Sequence, residues 1–249
     1  MSLIRMEVAS AKLHMQVPVT VILPQSAGPH KTLYLLHGAS DDHSAWTRFT
    51  SIERYAAQHK LCVVMPSAHL SIYRDMVHGG AFFSYIADEL PKIMRTFFHL
   101  SDQREDNFIA GLSMGGEGAL RIGLLCPENY AAIGCFSAGL SNYTTGGEMP
   151  DSRKKIYHLA MGHRDPLKEF EQMKSHISEM VLSDKPLPRI FHCIGKDDFL
   201  LDAARATRDV FVSLPNDPFL YRYIEDEGAH HWDYWDSHIE QFLDFTEAQ

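Results

Sequence analysis

The chain has 249 residues, of which 45% are hydrophobic and 22% are charged, the proportions of an ordinary globular protein. Its formal net charge of −9 at pH 7 makes a nucleic acid or an anionic membrane an unfavourable partner. The four cysteines are widely spaced and predict no disulfide framework. No apolar stretch approaches the length of a membrane span, and no signal-peptide pattern is visible, so we expect a cytoplasmic protein. The sequence leaves open whether the chain forms a homo-oligomer.

Two segments near the N-terminus are predicted strands. Residues 3–8 and 17–23 alternate polar and apolar side chains and are rich in β-branched residues, and Pro24 ends the second segment. We expect them to form an antiparallel pair at one edge of a sheet.

After residue 32 the pattern becomes an alternation of strands and helices. Short continuous apolar runs are typical of strands buried on both faces, and they occur at residues 33–36, 61–65, 108–110, 131–136, 188–194 and 219–224. Helical periodicity is found over residues 46–56, 83–98, 119–125, 201–214 and 232–245, with Pro91 expected to kink its helix or to mark a new first turn. The alternation predicts an α/β fold, with a mostly parallel sheet covered by helices on both faces, in a single domain over residues 1–249.

One segment interrupts this alternation. Residues 140–184 contain no clear strand and show helical turns near 154–161 and 167–182. Long connections of this kind often carry function. We therefore expect a helical insertion that caps the top of the sheet; a peripheral pair of helices is an equally good interpretation.

The sequence Gly111-Leu112-Ser113-Met114-Gly115 contains the pattern G-x-S-x-G, directly after a predicted strand and before a predicted helix. Small residues around the serine permit the sharp strand-to-helix turn that exposes a nucleophilic hydroxyl. The following helix points backbone N–H groups and the positive end of its dipole towards a developing anion. This context predicts that Ser113 is the nucleophile of a hydrolase.

A serine nucleophile needs a base and an acid, which in this arrangement follow it in the order Ser, then Asp or Glu, then His. The predicted strand over residues 188–194 is followed by Asp197 and Asp198. A turn can aim only one of them at the histidine, and we favour Asp198, which lies three positions beyond Gly195. Asp197 is then a solvated or turn-capping residue.

The last predicted strand is followed by His230 and His231, which present the same choice. We favour His230 as the base, with His231 leading into the terminal helix. A metal site built from these two residues and His238 is a weak alternative, because no carboxylate–histidine ligand spacing accompanies it. We therefore predict no metal and no cofactor.

Two backbone N–H groups are needed to bind the oxyanion of the tetrahedral intermediate. One is predicted at Met114, directly after the nucleophile. The other is predicted at Ala39, because Gly38 before it allows a close approach. His37 is expected to support this loop structurally.

Residues that contact the substrate are harder to identify. Asp41 and Trp46 follow the oxyanion loop and are candidates for lining the entrance. The alternative is a polar loop and a core tryptophan. Residues 73–76 follow a buried strand and are expected on the same side of the sheet.

The chain resembles the esterase family that includes esterase D, S-formylglutathione hydrolase and bacterial tributyrin esterases, and it is most similar to the tributyrin esterases. The resemblance covers nearly the whole chain and rests on five separated motifs: Leu35-Leu36-His37-Gly38, Asp88-Glu89-Leu90-Pro91, Gly111-Leu112-Ser113-Met114-Gly115-Gly116, Asp198-Phe199-Leu200 and Gly228-Ala229-His230-His231-Trp232. It implies an α/β-hydrolase fold, with Ser113, Asp198 and His230 as the triad. One departure is Glu117, at a position where these esterases more often carry an aromatic or neutral residue. Its charge would face the helix exterior or alter the acyl pocket.

The function implied is hydrolysis of short acyl esters through an acyl-enzyme on Ser113, without a cofactor, with a small-molecule ester as the partner. Two alternatives stay open. One is a thioesterase acting on S-acyl glutathione or a related thiol ester, which would use the same triad. The other is a non-catalytic protein that keeps the hydrolase fold to bind a ligand.

Overall fold

The computed structural model describes residues 1–142 and 151–247. Within these residues eight strands form one sheet in the order β1-β2-β4-β3-β5-β6-β7-β8. The strands are β1 (Ser2–Ser10), β2 (Met15–Leu23), β3 (Thr32–Leu36), β4 (Cys62–Pro66), β5 (Asn107–Leu112), β6 (Ala132–Phe136), β7 (Arg189–Gly195) and β8 (Arg222–Asp226). β2 pairs antiparallel with β1 and β4, and the five other pairings are parallel. The mostly parallel sheet and its antiparallel edge pair are therefore confirmed.

Helices connect the strands and cover the sheet. They are α1 (Ala45–Phe49), α2 (Ile52–Gln58), α3 (Phe82–Ser84), α4 (Leu90–Phe97), α5 (Met114–Leu125), α6 (Asp151–Met161), α7 (Pro166–Val181), α8 (Leu201–Val212) and α9 (Trp232–Glu247), with a π-helical turn (Tyr85–Glu89) between α3 and α4. No helix among the described residues is long and apolar enough to span a bilayer.

Side chains of each central strand alternate between two cores, as the period of a strand requires. In β3, Tyr34 and Leu36 belong to one core, and Leu33 and Leu35 belong to the other. Helices α4, α5, α7 and α8 pack on the first core, and α2 and α9 pack on the second. Helices therefore cover both faces of the sheet. In α/β folds of this kind, ligand sites usually lie at the carboxyl ends of the parallel strands.

Three predicted element boundaries differ from the structure. The helix predicted over residues 46–56 is two helices, because Thr50 has extended backbone angles and the Ser51 N–H is bound by Asp236 Oδ1 at 2.8 Å. The strand predicted over residues 219–224 begins later; the apolar signal of Phe219 reflects its packing on Phe211. Helix α5 begins before the predicted residue 119, because glycines within its first turns weaken the helical signal.

Pro91 lies in the first turn of α4, which is one of the two predicted alternatives, and the helical segment continues into α4 from the π-helical turn before it. It has no N–H to donate to the carbonyl of Ala87. Just before it the hydrogen-bond spacing widens, and the Leu90 N–H donates to the carbonyl of Tyr85 in a π-helical bond.

The predicted insertion over residues 140–184 contains α6 and α7. Residues 143–150 of that insertion lie outside the described part of the chain. Helix α6 lies over the carboxyl edge of the sheet, since Arg153, Ile156 and Tyr157 line the same pocket as Ser113. The described part of the insertion therefore covers the candidate site.

Candidate active site

Ser113 lies between β5 and α5, with φ of 52° and ψ of −116°. Non-glycine residues rarely adopt such angles, and the strain is typical of a nucleophile held on a tight turn. The turn depends on Gly111 and Gly115, since a Cβ on Gly111 would lie 2.4 Å from the Gly115 carbonyl oxygen. A Cβ on Gly115 would lie 2.6 Å from the Leu36 carbonyl oxygen. The two glycines thus let β3, β5 and α5 approach closely enough to present the hydroxyl.

Ser113 and the two predicted partners form a continuous hydrogen-bonded chain. The Ser113 Oγ lies 3.0 Å from His230 Nε2, within reach for proton transfer. His230 Nδ1 lies 2.8 Å from Asp198 Oδ2 and 3.0 Å from Oδ1. With Nδ1–H donating to the carboxylate, Nε2 is the unprotonated nitrogen that accepts from the serine. The structure brings together the three residues that the sequence predicts as a triad.

The Asp198 carboxylate is held by more than the histidine. Its side chain is buried, and Oδ1 also accepts from the Leu200 N–H at 2.8 Å. Burial raises the pKa of Asp198, but the hydrogen bond and charge of His230, with donors at Leu200 and Ser137, outweigh it and lower the pKa overall. The group is therefore held ionised, as required to orient the imidazole and to stabilise its charged form.

The loops carrying the acid and the base support one another. The Asp197 N–H donates to the Gly228 carbonyl at 2.9 Å, and a Cβ on Gly195 would lie only 2.2 Å from that oxygen. The Asp197 side chain is exposed, so the structure separates it from Asp198 as predicted. His231 is also exposed and lies at the start of α9.

The oxyanion loop is fixed by a histidine. His37 is 1% exposed; its Nδ1 lies 2.7 Å from the Gly38 carbonyl, and its Nε2 accepts from the Ala68 N–H at 2.9 Å. Since Nδ1 faces a carbonyl acceptor and Nε2 faces an N–H donor, the ring is neutral and carries its proton on Nδ1. Burial lowers the pKa of His37 to about 4. In a trans peptide the N–H points opposite to the C=O, so binding the Gly38 carbonyl turns the Ala39 N–H away from His37. Ala39 and Met114 both line the pocket at Ser113.

The pocket at Ser113 is a narrow cleft that is partly open to solvent. It is lined by residues of the oxyanion loop, the loop after β4, the start of α5, the loop after β6, helix α6 and the loop after β7: Ala39, Ile72, Ser113, Met114, Asn142, Arg153, Ile156, Tyr157 and Leu200. The lining is largely apolar with a few polar groups, which suits a small organic substrate.

Glu117 is 1% exposed and lies one helical turn beyond Ser113 on α5. Its Oε2 accepts from the Tyr157 hydroxyl and from the Asn142 N–H, each at 3.1 Å. Its Oε1 lies 3.3 Å from an Arg74 nitrogen. The charge therefore does not face the helix exterior. It holds Asn142 and Tyr157, two residues of the pocket wall.

Arg74 extends this contact into a buried charge cluster. Its other terminal nitrogen binds Glu169 of α7, and Arg121 of α5 lies 3.3 Å from the same carboxylate. Two carboxylates thus face two guanidinium groups, and the side chains of all four are at most 13% exposed. The cluster, Arg74, Glu117, Arg121 and Glu169, fastens the insertion to the core of the fold.

The two predicted substrate-binding residues have different surroundings. Trp46 is 1% exposed, packs against Phe136 and Trp232, and donates its indole N–H to the Leu36 carbonyl at 3.0 Å. The structure thus places Trp46 in the core rather than at the entrance, because its large apolar ring fills the space between β3 and α9. Asp41 is half-buried beside the oxyanion loop and is not among the residues that line the pocket.

The weak metal alternative is not supported by geometry. His230 bonds Ser113 and Asp198, whereas His238 is buried and stacked on Tyr234, 3.9 Å between ring centroids. Among the described residues no group of three His, Cys, Asp or Glu side chains is arranged to hold a metal ion.

Several pocket residues were not predicted. Arg153, Ile156 and Tyr157 have the i, i+3, i+4 spacing of one helix face, a signal that was present but could not be assigned to a partner. Asn142 accepts from the Gly139 N–H at 2.9 Å and donates to the Ser113 carbonyl at 3.2 Å. Nothing in the sequence marks it, because its role depends on a loop conformation.

Known proteins are similar to this chain over most or all of its length. The family model described as "Putative esterase" matches residues 10–245. An acetyl esterase of Caldicellulosiruptor saccharolyticus is 32% identical over 216 residues, which is 84% of this chain and 80% of that protein. The structure of FphF, the fluorophosphonate-binding serine hydrolase F of Staphylococcus aureus, matches with a TM-score of 0.88 at 32% identity, over 100% of this chain and 99% of that one. S-formylglutathione hydrolase FrmB of Staphylococcus aureus matches with a TM-score of 0.81 at 31% identity, over 98% of each chain.

These matches, together with the α/β-hydrolase fold, confirm the predicted resemblance to the esterase family that includes S-formylglutathione hydrolase. The chain belongs to the "Putative esterase" family and is a serine hydrolase that acts on carboxylic esters.

Proposed function

We propose that this protein is a serine carboxylesterase that hydrolyses short-chain acyl esters through an acyl-enzyme on Ser113. The observation that carries the proposal is the continuous chain from Ser113 Oγ to His230 Nε2 at 3.0 Å and from His230 Nδ1 to Asp198 Oδ2 at 2.8 Å. The similarity to an acetyl esterase supports the choice of substrate class. The same hydrogen-bonded chain argues against a non-catalytic binding protein.

In the proposed cycle, His230 Nε2 takes the proton of Ser113 as its oxygen attacks the ester carbonyl. The N–H groups of Ala39 and Met114 bind the oxyanion, each contributing roughly 3 kcal/mol to the transition state. His230 then gives the proton to the leaving alkoxide, and the acyl group remains on Ser113. Water then attacks the carbonyl of the acyl-enzyme while His230 takes its proton. The bond between Ser113 Oγ and the acyl carbon breaks, His230 returns the proton to Ser113 Oγ, and the carboxylic acid is released. Asp198 keeps the imidazole in the productive tautomer throughout.

The preference for short chains is supported by the position of Tyr157. Its hydroxyl binds Glu117, one helical turn beyond Ser113, which corresponds to about 5.4 Å along the axis of α5. The Tyr157 side chain lies on the wall of the pocket that contains Ser113, where it limits the space available to an acyl chain. Ile72 and Ile156 supply apolar walls on the same pocket.

A thioesterase acting on S-acyl thiols is the second candidate, because the chain is 31% identical to an S-formylglutathione hydrolase over 98% of its length. The same three residues would carry out the reaction, with a thiolate as the leaving group. Oxygen and sulfur esters with the same acyl group separate the two candidates.

The test is hydrolysis of p-nitrophenyl esters from acetate to decanoate by the wild type and by Ser113→Ala. We expect a maximum at about two to four acyl carbons, and loss of activity in the variant. A maximum at decanoate would contradict the short-chain proposal. No hydrolysis of any oxygen ester, with hydrolysis of S-acyl thiols, would favour the second candidate.

A further inference from the structure

A cationic side chain lies on the pocket of Ser113. Arg153 of α6 lines that pocket, and its guanidinium carbon lies 4.4 Å from the centre of the Phe199 ring. The side chain is exposed, and no carboxylate among the described residues forms an ion pair with it. It is the only Lys or Arg among the described residues that line this pocket.

The position of Arg153 relative to the triad indicates which part of a substrate it would meet. Phe199 follows Asp198 in the chain, and its ring lies 4.3 Å from the ring of His230. His230 must deliver its proton to the leaving group, so the leaving group lies on the His230 side of Ser113. Arg153, over the ring that packs on His230, therefore lies on the leaving-group side.

We propose that Arg153 and Phe199 form a subsite for an ester whose leaving alcohol carries a carboxylate. This inference rests on the proposed function and adds a substrate class to it. A guanidinium group offers planar, paired N–H donors that match a carboxylate, and the Phe199 ring holds it in place from below. The chain as a whole is acidic, with a net charge of −9, so its general field does not attract anions. The attraction of Arg153 is therefore local, and it favours only substrates that place an anionic group next to its guanidinium.

The test compares two acetyl esters that differ in charge: 3-acetoxybenzoate, whose leaving phenol carries a carboxylate, and its neutral methyl ester. The quantity measured is the ratio of kcat/KM for the anionic ester to that for the neutral ester. We expect Arg153→Met to lower this ratio about threefold to fivefold, the size of a partly exposed charge pair. Arg153→Lys should retain most of it. In the wild type the ratio should fall as salt is added, and in Arg153→Met it should not.

Lys155 provides a matched control, because it lies on the same helix, is exposed and does not line the pocket. Lys155→Met removes the same charge and should leave the ratio unchanged. If Arg153→Met lowers kcat/KM for both esters equally, Arg153 is only a support for Phe199 and the subsite is refuted. If the wild type hydrolyses neither ester, or Ser113→Ala is as active as the wild type, the proposed function itself fails.

Discussion

Replacing Tyr157 with alanine should lengthen the acyl chain that the enzyme accepts. The ring of Tyr157 lines the pocket, and its hydroxyl is fixed by Glu117 one turn beyond Ser113. Removing the ring leaves space beside Ile72 and Ile156 into which additional methylene groups can extend, and Glu117 keeps the Asn142 N–H and Arg74 as partners. Each buried methylene contributes about 0.8 kcal/mol, which corresponds to about fourfold in kcat/KM. Hexanoate has two methylenes more than butyrate, so the hexanoate-to-butyrate ratio should rise about fifteenfold.

The assay is initial-rate hydrolysis of the two p-nitrophenyl esters, and the ratio is independent of how much enzyme is correctly folded. Tyr157→Phe is the matched control, because it keeps the ring and removes only the hydroxyl that binds Glu117. We expect its hexanoate-to-butyrate ratio to stay within about twofold of the wild type, because the ring is retained and no space for a whole methylene group, worth about fourfold, is created. An unchanged ratio in Tyr157→Ala would refute the assignment of this ring as the limit of the pocket. An equal rise in both variants would mean that the hydroxyl, and not the ring, sets the limit.

Three further predictions follow from the site and its supports. Asp198→Asn should lower kcat by about 10⁴-fold with little change in KM, because the amide stabilises the wrong tautomer of His230. The control Asp197→Asn changes an exposed side chain and should leave kcat unchanged. Equal kinetics in the two variants would contradict the choice of Asp198 over Asp197. Glu117→Leu should lower the free energy of unfolding in urea by about 3 kcal/mol, because Arg74 loses one of its two buried carboxylate partners and the Tyr157 hydroxyl and the Asn142 N–H lose their acceptor. A loss below about 1 kcal/mol would contradict a structural cluster. Burial lowers the pKa of both His37 and His192 from 6.5 to about 4, so below pH 6.5 the unfolded chain binds protons that the folded chain refuses. The free energy of unfolding should therefore fall between pH 6.5 and pH 4, by about 3 kcal/mol per histidine at the lower limit, and a constant value over this range would contradict the neutral buried rings.

The sequence was sufficient to predict the sheet and the contact between Ser113, His230 and Asp198, because both follow from local patterns at the strands and at the turns after them. Continuous apolar runs identify strands buried on both faces, and the order of Ser113, Asp198 and His230 follows the order of those strands. The pair Asp197 and Asp198 could be separated because a turn exposes one and buries the other.

The pocket wall could not be predicted, because it depends on contacts between distant segments. The charge of Glu117 is unusual for its position and can be recognised in the sequence, but its partner Tyr157 lies 40 residues away in the insertion. Trp46 shows the same dependence: its place after the oxyanion loop left the entrance and the core as alternatives, and the structure places its ring in the core between β3 and α9. Burial of this kind is decided by the packing of the whole fold and not by position in the chain.

The most direct test of the central claim is the acyl-enzyme itself. Intact-protein mass spectrometry after rapid mixing with p-nitrophenyl acetate, followed by acid quenching and peptide mapping, measures the acyl group on the protein. We expect one acetyl group per chain, on the peptide that contains Ser113, and none in Ser113→Ala. Acetylation at another residue, or turnover that persists in Ser113→Ala, would contradict the account.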